Sequence, residues 1–383
     1  MAAMAQTFDI CIRGAGIVGR TLALLLARER LKVALVPAPA PASTAAADVR
    51  AYALNTASRQ LLESLRSWPD AEHATAVRQM QVQGDQGGAV VFDAEPQGVD
   101  ALAWIVDVPA LEARLAEAVR FQPQVEVVDA PVAAPLTVVC EGRASSTRAE
   151  FGARFEVTPY AQHAIATRVR CEHPHGQVAR QWFLPDGILA FLPLDGAEGN
   201  SVAVVWSVPQ EQVASLMALP PDAFTEALQT ASQQALGTLT LCADRASWPL
   251  QLAKADRWCG STPAAGASPR SLGSWVLAGD AAHNVHPLAG QGLNLGLADV
   301  QALAEVLRTR DYWRSVADLR LLRRYERERK AALVAMGLAT DGLQQLFARQ
   351  EAPWQALRNW GMKGFERSGP LKDFVTRRAM GMR

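Results

Sequence analysis

The sequence predicts an α/β protein: a Rossmann-like nucleotide-binding unit, antiparallel strands in the middle of the chain, and a helical C-terminus. Three stretches carry that prediction. Residues 8–36 read as strand, glycine turn, helix and strand; residues 178–206 alternate short apolar runs with turn signals; residues 275–307 read as strand, loop and helix. At 383 residues the chain is long enough for two domains or one large composite domain with a substantial core. Hydrophobic residues make up 49% and charged residues 20%, which places it among globular chains. The 38 basic and 38 acidic side chains cancel, so no global field recruits nucleic acid. Five cysteines (Cys11, Cys140, Cys171, Cys242, Cys259) are odd in number, widely spaced and free of any CxxC, which argues against a disulfide framework or a zinc site. That usage fits a reducing cytoplasm, the expected location. No apolar run reaches the length of a membrane span, and the N-terminus enters a strand without a charged-then-apolar signal segment.

The opening "FDICIRGAGIVGRTLALLLARERLKVALV", residues 8–36, is a complete βαβ start. Gly14 permits the tight turn, Gly16 lets a pyrophosphate approach the backbone, and Gly19 allows close packing of helix on strand, with the phosphates at the helix N-terminus. Arg13 beside the turn has no assigned role. The second strand ends at Pro37, where such folds normally deliver the acid that hydrogen-bonds the adenosine ribose. Residues 37–47 are all Pro, Ala, Ser or Thr, an extended or loop composition, and Asp48 and Arg50 follow. No cation lies between Val33 and Asp48 to suit a 2′-phosphate, so this motif alone does not name the cofactor.

The stretch "WVLAGDAAHNVHPLAGQGLNLGLADV", residues 275–300, reads as a short apolar strand, an Asp after a glycine, a loop with Pro and two more glycines, then a helix. Leu293, Leu297, Val300, Ala304 and Leu307 recur at helical spacing and form one apolar face. Gly290 and Gly292 leave backbone N–H groups free at that helix N-terminus, where the partial positive charge stabilises an anion.

Here the sequence resembles the FAD-dependent aromatic hydroxylases, single-component flavin monooxygenases, and most closely the ubiquinone-biosynthesis hydroxylases of UbiH type. The pattern GDAAHxxxPxxGQGxNxGxxD runs unbroken from Gly279 to Asp299. The resemblance implies that Asp280 binds the ribityl and pyrophosphate part of a non-covalent FAD. It also implies that the loop Pro287–Asn294 lies along the isoalloxazine ring. Pro287, Gly290, Gln291 and Gly292 would then border the reacting part of the cofactor, with Leu293 and Asn294 completing the contact. "VVCEGRASSTR", residues 138–148, resembles the family's DGxxSxxR segment, with Glu141, Gly142, Ser145 and Arg148 in the matching places and Glu standing for Asp. "DVRAYAL", residues 48–54, supplies Arg50 to the cofactor site by the same resemblance. A second departure is "WIVDVPAL", residues 104–111, where relatives commonly have Glu followed by Asn or Arg and this chain has Asp107, Val108 and Pro109.

The resemblance implies an aromatic-hydroxylase fold: a Rossmann-like FAD-binding domain with an inserted antiparallel β-sheet substrate domain and a helical C-terminus. The expected division is residues 1–75, 100–158 and 257–345 for the FAD-binding domain, 76–99 and 159–256 for the substrate domain, and 346–383 for the C-terminal segment. Phe191, Leu192, Val204 and Trp206 are candidates to line a pocket, with core packing the alternative. The run "LRRYERERK", residues 322–330, is expected to be a solvated helix face. In residues 349–383, eight Lys or Arg stand against three Asp or Glu among Trp354, Leu357, Trp360, Phe365 and Phe374, an amphipathic surface suited to anionic lipid or an assembly partner.

The chemistry then follows from the cofactor. NADPH or NADH would reduce FAD, O2 would form a flavin C4a-hydroperoxide, and an oxygen atom would pass to an aromatic or prenylated phenol. An apolar pocket would keep water out. No metal cluster or Ser/His/Asp set is required; His283 is expected to be a hydrogen-bonding member of the loop, and His286 carries no assigned step. A ubiquinone-biosynthesis complex or a peripheral membrane contact is the further partner implied, and no nucleic acid. A plain NADP-dependent dehydrogenase would leave Gly279–Asp299 unexplained. A flavin halogenase would carry WxWxIP, and a Baeyer–Villiger enzyme a second GxGxxG, both missing from this sequence. The alternative reading is a flavin-poor, non-catalytic paralogue acting as a scaffold subunit, given Pro37 and Pro109.

Overall fold

The computed structural model describes residues 7–38, 48–84, 88–262, 273–284 and 292–348, with side chains of the last helix described to Val334. The chain begins with β1 (Ile10–Arg13), α1 (Ile17–Arg28), β2 (Val33–Val36), β3 (Ala51–Leu54), α2 (Thr56–Ser64), β4 (Ala74–Val77), β5 (Gln79–Gln83), β6 (Ala89–Asp93), β7 (Ala103–Asp107) and α3 (Val108–Arg120). It continues through β8 (Val125–Val127), β9 (Leu136–Val139), α4 (Ser146–Glu150), β10 (Phe155–Cys171), β11 (Val178–Leu184), β12 (Gly187–Pro193), β13 (Ser201–Pro209), α5 (Gln210–Ala218) and α6 (Pro221–Ala231). The last part holds β14 (Leu239–Leu241), β15 (Ala246–Ala255), β16 (Cys259–Ser261), β17 (Ser274–Leu277), β18 (His283–Asn284), α7 (Gly292–Arg308) and α8 (Leu319–Ala348).

The first sheet has six strands in the order β16-β17-β9-β1-β2-β8, parallel except for the edge strand β16. β1 (ICIR), β2 (VALV) and β17 (SWVL) are apolar runs buried along their length, apart from half-buried Arg13, so neither side of these strands meets water. α1 and α7 pack on one another at Gly296, where an added Cβ would come within 2.9 Å of Val18. The expected βαβ start is therefore realised: β1 and β2 are parallel, in register from Ile10 with Val33 to Arg13 with Val36, and α1 connects them.

The second sheet has nine strands, in the order β18-β15-β10-β13-β12-β11-β5-β6 with β14 beside β10. Its pairs are antiparallel, as the pattern in residues 178–206 predicts, except that β11 runs parallel to β5. Alternation along the strands sends Leu189, Phe191, Val202, Val204 and Trp206 to one face, where Phe224 and Leu228 of α6 cover them. Phe191 and Val204 are sealed in this core, so core packing, not pocket lining, is what they and Trp206 do. Leu192 points to the other face and packs with Val77, Ile105, Ala179, Leu194 and Ala203, joining the large sheet to a three-stranded sheet of β3, β7 and β4. That small sheet is the bridge between the two large ones.

Candidate active site

Three strand ends of the first sheet converge where its order turns back on itself, at β1 between β2 and β9. Gly14 follows β1 at φ +110, a conformation L side chains rarely adopt, and a Cβ there would lie 2.3 Å from the Cys140 carbonyl oxygen. Gly19 packs as closely: its Cβ would fall 1.8 Å from the Gly14 carbonyl. Gly16 is different, because a Cβ there meets nothing within 4 Å. It is also the N-cap of α1 and supplies no side-chain cap, so first-turn N–H groups face an open space. That is an anion cradle, and the diphosphate of a dinucleotide fits it.

Glu141, at the end of β9, is held from several sides. It accepts hydrogen bonds from Ser145 Oγ (2.7 Å), Thr147 Oγ1 (2.5 Å) and Thr147 N (3.2 Å), and Arg13 Nε lies 3.2 Å away. Burial opposes its ionisation, but these donors outweigh it and hold the carboxyl below its usual range. Arg13 thereby has its role, since it also pairs with Glu150 at 2.9 Å and ties β1 to α4. Arg148 donates to the Ala281 carbonyl (3.1 Å) and to the Arg143 carbonyl (3.1 Å), with its guanidinium 3.6 Å from the centre of the Phe155 ring. The EGxxSxxR residues therefore brace the Asp280 turn.

Asp280 lies in a single 3-10 turn, Gly279–Ala281, between β17 of the first sheet and β18 of the second. Gly279 adopts φ +63 against Val18. Burial pushes the Asp280 carboxyl up; His283, Arg143 and a hydrogen bond with Asn284 pull the other way, while Asp299 adds to the rise. Asp299 itself, on α7, is fully buried. Its Oδ2 accepts from Gly279 N (3.0 Å) and His283 Nε2 (2.6 Å), and its Oδ1 accepts from Arg329 Nε (2.6 Å). Burial raises its pKa, yet His283 and Arg329 hold it below the usual range, so it is ionised and His283 Nε2 must carry the shared hydrogen. His283 also stacks on Trp258, with ring centroids 5.1 Å apart.

At the start of α7, a Cβ on Gly292 would meet nothing within 4 Å, and Leu293 is buried. The Asn294 side chain is used within the protein: Oδ1 accepts from Asn55 N (3.0 Å) and Ser58 Oγ (2.7 Å), and Nδ2 donates to the Ala53 carbonyl (2.8 Å). It locks β3 and the start of α2 to α7. Pro287, Gly290, Gln291 and His286 lie outside the described residues, as do residues 349–383. Arg50 forms a fork with Asp48, Nη2 to Oδ2 at 2.6 Å and Nε to Oδ1 at 2.8 Å, which holds its pKa up. Two residues on, Tyr52 hydrogen-bonds the Arg50 side chain, and burial pushes its phenol up within the fields of Arg50 and Asp280. Pro37 is exposed past the end of β2. Asp107 receives Arg168 from β10 at 2.8 Å, and Arg168 also reaches the carbonyls of Val49 (3.2 Å) and Arg50 (3.3 Å). The acid at this departure thus joins the large sheet to β3 and β7.

The run at 322–330 is not a solvated face. Leu322 and Tyr325 are fully buried, Tyr325 Oη donates to the Leu277 carbonyl (3.0 Å), and Glu326 accepts from Trp258 N (3.0 Å). Lys330 donates to the Asp256 carbonyl (2.7 Å). Only part of the run is exposed, for example the Arg324–Glu328 pair. Charge count concealed what spacing would have revealed: Leu322, Tyr325, Glu326 and Arg329 recur at three and four residues and form one helix face. Tyr52 and Arg329 are the two site residues that motif reading passed over. Among the described residues, no group of three His, Cys, Asp or Glu could hold a metal ion, and no helix is long and apolar enough to cross a membrane.

A family model described as FAD binding domain matches residues 116–337, more than half of the chain. Ubiquinone hydroxylase UbiL of Rhodospirillum rubrum is 32% identical over 97% of this chain and 89% of its own length. The 3-demethoxyubiquinol 3-hydroxylase of Escherichia coli is 30% identical over 98% of this chain and 99% of its own. Among solved structures, p-nitrophenol 4-monooxygenase PnpA of Pseudomonas putida superposes with a TM-score of 0.74 at 17% identity, covering 98% of this chain and 99% of that one, a likeness of fold.

Proposed function

Because the chain belongs to the FAD-binding-domain family of FAD-dependent aromatic hydroxylases, we propose that it hydroxylates the aromatic ring of a ubiquinone-biosynthesis intermediate, with NADPH or NADH as reductant. FAD is the cofactor. The observation that carries the reading is the convergence of the glycine turn after β1, the Glu141 bracket after β9 and the Asp280 turn after β17, in a chain alike along nearly its whole length to hydroxylases of that pathway.

When bound and reduced, FAD supplies the activation of O2; the residues of this chain bind, orient and shield it. The first-turn N–H groups of α1 beyond Gly16 take the diphosphate, with Gly14 and Gly19 shaping the turn. Asp280 would hold the ribityl part, as acceptor to its hydroxyls. Gly292, Leu293 and the backbone of Asn294 would meet the ring system. Arg50, just before β3, would border the site, and Tyr52 keeps its phenolic proton in the fields of Arg50 and Asp280. The face of the large sheet turned toward β3, β4 and β7 carries Ala164, Ala166 and Ala190, small apolar side chains on the side where an aromatic substrate would be shielded from water. The division at 1–75, 100–158 and 257–345 against 76–99 and 159–256 is the reading in which cofactor and substrate meet at the bridging sheet. A prenylated substrate also makes a ubiquinone-biosynthesis complex or a peripheral membrane contact the fitting partner, with residues 346–383 the segment to meet it.

The test is a full-length preparation incubated with excess FAD, followed by absorption spectra, NAD(P)H oxidation with and without phenolic substrate, and mass analysis of quinone intermediates in a strain lacking its own ring hydroxylase. A yellow protein that restores a hydroxylated intermediate is expected. Protein without flavin absorbance, or flavoprotein that restores no intermediate, would overturn the proposal.

A further inference from the structure

We propose that Arg329, on α8 and outside every nucleotide-binding motif, is a positioning residue for the flavin-binding turn, acting through Asp299. The inference rests on the reading that Asp280 holds FAD. Asp299 is fully buried, and a buried carboxylate is tolerated only when its lone pairs are filled by well-placed donors. Its two oxygens divide the work. Oδ2 receives the backbone N–H of Gly279, the first residue of the Asp280 turn, at 3.0 Å and His283 Nε2, just past its end, at 2.6 Å. Oδ1 receives Arg329 Nε at 2.6 Å.

One carboxylate therefore fastens both ends of the turn, and one guanidinium keeps that carboxylate charged and fixed in rotation. Without the guanidinium, Asp299 has two outcomes. It can take up a proton and lose accepting strength toward Gly279 and His283, or it can stay ionised and repel Asp280 with a charge no longer offset. The first loosens the turn that aims Asp280, and the second opposes the ionisation of Asp280. The charged and titratable groups around Asp299 are His283 of β18, Asp280 of the turn, Arg329 and Tyr325 of α8, and Cys140 after β9.

The attachment of α8 does not depend on Arg329. Tyr325 Oη bonds the Leu277 carbonyl at 3.0 Å, Glu326 accepts from Trp258 N at 3.0 Å, and Lys330 bonds the Asp256 carbonyl at 2.7 Å. Removing the guanidinium should then leave the helix docked and change the turn.

The experiment measures FAD dissociation on dilution of the full-length holoprotein, read by flavin fluorescence, with thermal unfolding in parallel. The variants are Arg329→Met, Arg329→Lys, Asp299→Asn and the double variant Asp299→Asn/Arg329→Met. Arg329→Met is expected to weaken FAD at least tenfold, and Arg329→Lys to restore most of that loss. In the Asp299→Asn background, Arg329→Met should cost less than threefold, because the residue it acts through is already neutral. Unchanged affinity in Arg329→Met overturns the proposal, as does an equal loss in both backgrounds. If Arg329→Met fails to fold, Arg329→Gln takes its place, and wild-type FAD affinity in that neutral variant overturns the proposal. A wild-type protein that never binds FAD refutes the cofactor reading instead.

Discussion

Arg148 and Ala281, 133 positions apart in sequence, are joined by a 3.1 Å hydrogen bond from the guanidinium to the carbonyl, and this bond holds the second sequence motif against the third. The first motif is held to the second in the same region, where Cys140 N donates to the Arg13 carbonyl at 2.7 Å. The consequence is a single cradle, whose parts can be tested one at a time.

Asp280→Ala should lose flavin. A carboxylate accepting charge-assisted hydrogen bonds contributes roughly 1.5 to 3 kcal/mol, so FAD should bind on the order of ten- to a hundredfold more weakly. Flavin absorbance retained through gel filtration reads this directly, and retention equal to wild type would remove Asp280 from the site.

The glycines of the first turn should separate folding from binding. Gly19→Ala drives a Cβ to 1.8 Å from the Gly14 carbonyl and should destabilise the protein by about 1 to 3 kcal/mol, seen as a lower melting temperature even without FAD. Gly16→Ala meets no protein atom within 4 Å, so the apoprotein should melt as wild type does while FAD binds more weakly. Equal FAD affinity in Gly16→Ala would place the diphosphate elsewhere.

Pro37→Glu should tighten FAD and leave FMN, which lacks the adenosine half, nearly unchanged. Pro37 offers no side-chain acceptor past the end of β2, and Asp48 is engaged by Arg50 at 2.6 Å. The gain expected from one charge-assisted hydrogen bond is about ten- to a hundredfold. Titration of the apoprotein with each flavin checks it, and an equal gain for FMN would count against the ribose assignment.

The two carboxylates of the third motif should respond oppositely to pH. Asp280 is raised by burial, so its contribution to apoprotein stability is fully present below its unfolded value of about 3.9 and is lost as pH rises through the higher folded value. Asp299 is lowered despite burial, so its contribution is present above its unfolded value and is lost as pH falls through the lower folded value. At pH 8, Asp280→Asn apoprotein should melt at or above the wild-type temperature while FAD binding weakens. Asp299→Asn should melt lower at pH 8, with the gap narrowing only below about pH 4. Thermal unfolding of apoprotein across this range measures both, and parallel behaviour of the two variants would contradict the assignment.

Local pattern was enough for the βαβ start, the helix after Gly292 and the antiparallel run at 178–206. Each is set by local pattern: glycines where the backbone turns or packs tightly, and apolar periods of two or near four. The sequence also showed which three segments form the cradle, because their spacing repeats a family pattern. Tertiary structure alone decided what the polar side chains do. Asn294 reads as a ligand contact in its motif, yet its amide is spent on Asn55, Ser58 and Ala53, some 240 residues away in chain order. Phe191, Val204 and Trp206 read as core more readily than as pocket, and the cover of α6 decides for core. Arg329 sits in a run whose charge suggests water, and only the docking of α8 on α7 brings it to Asp299. Local periodicity states which face of an element is apolar, but hydrogen-bond partners are fixed by which distant elements are packed together, and that is decided by the burial of the whole core.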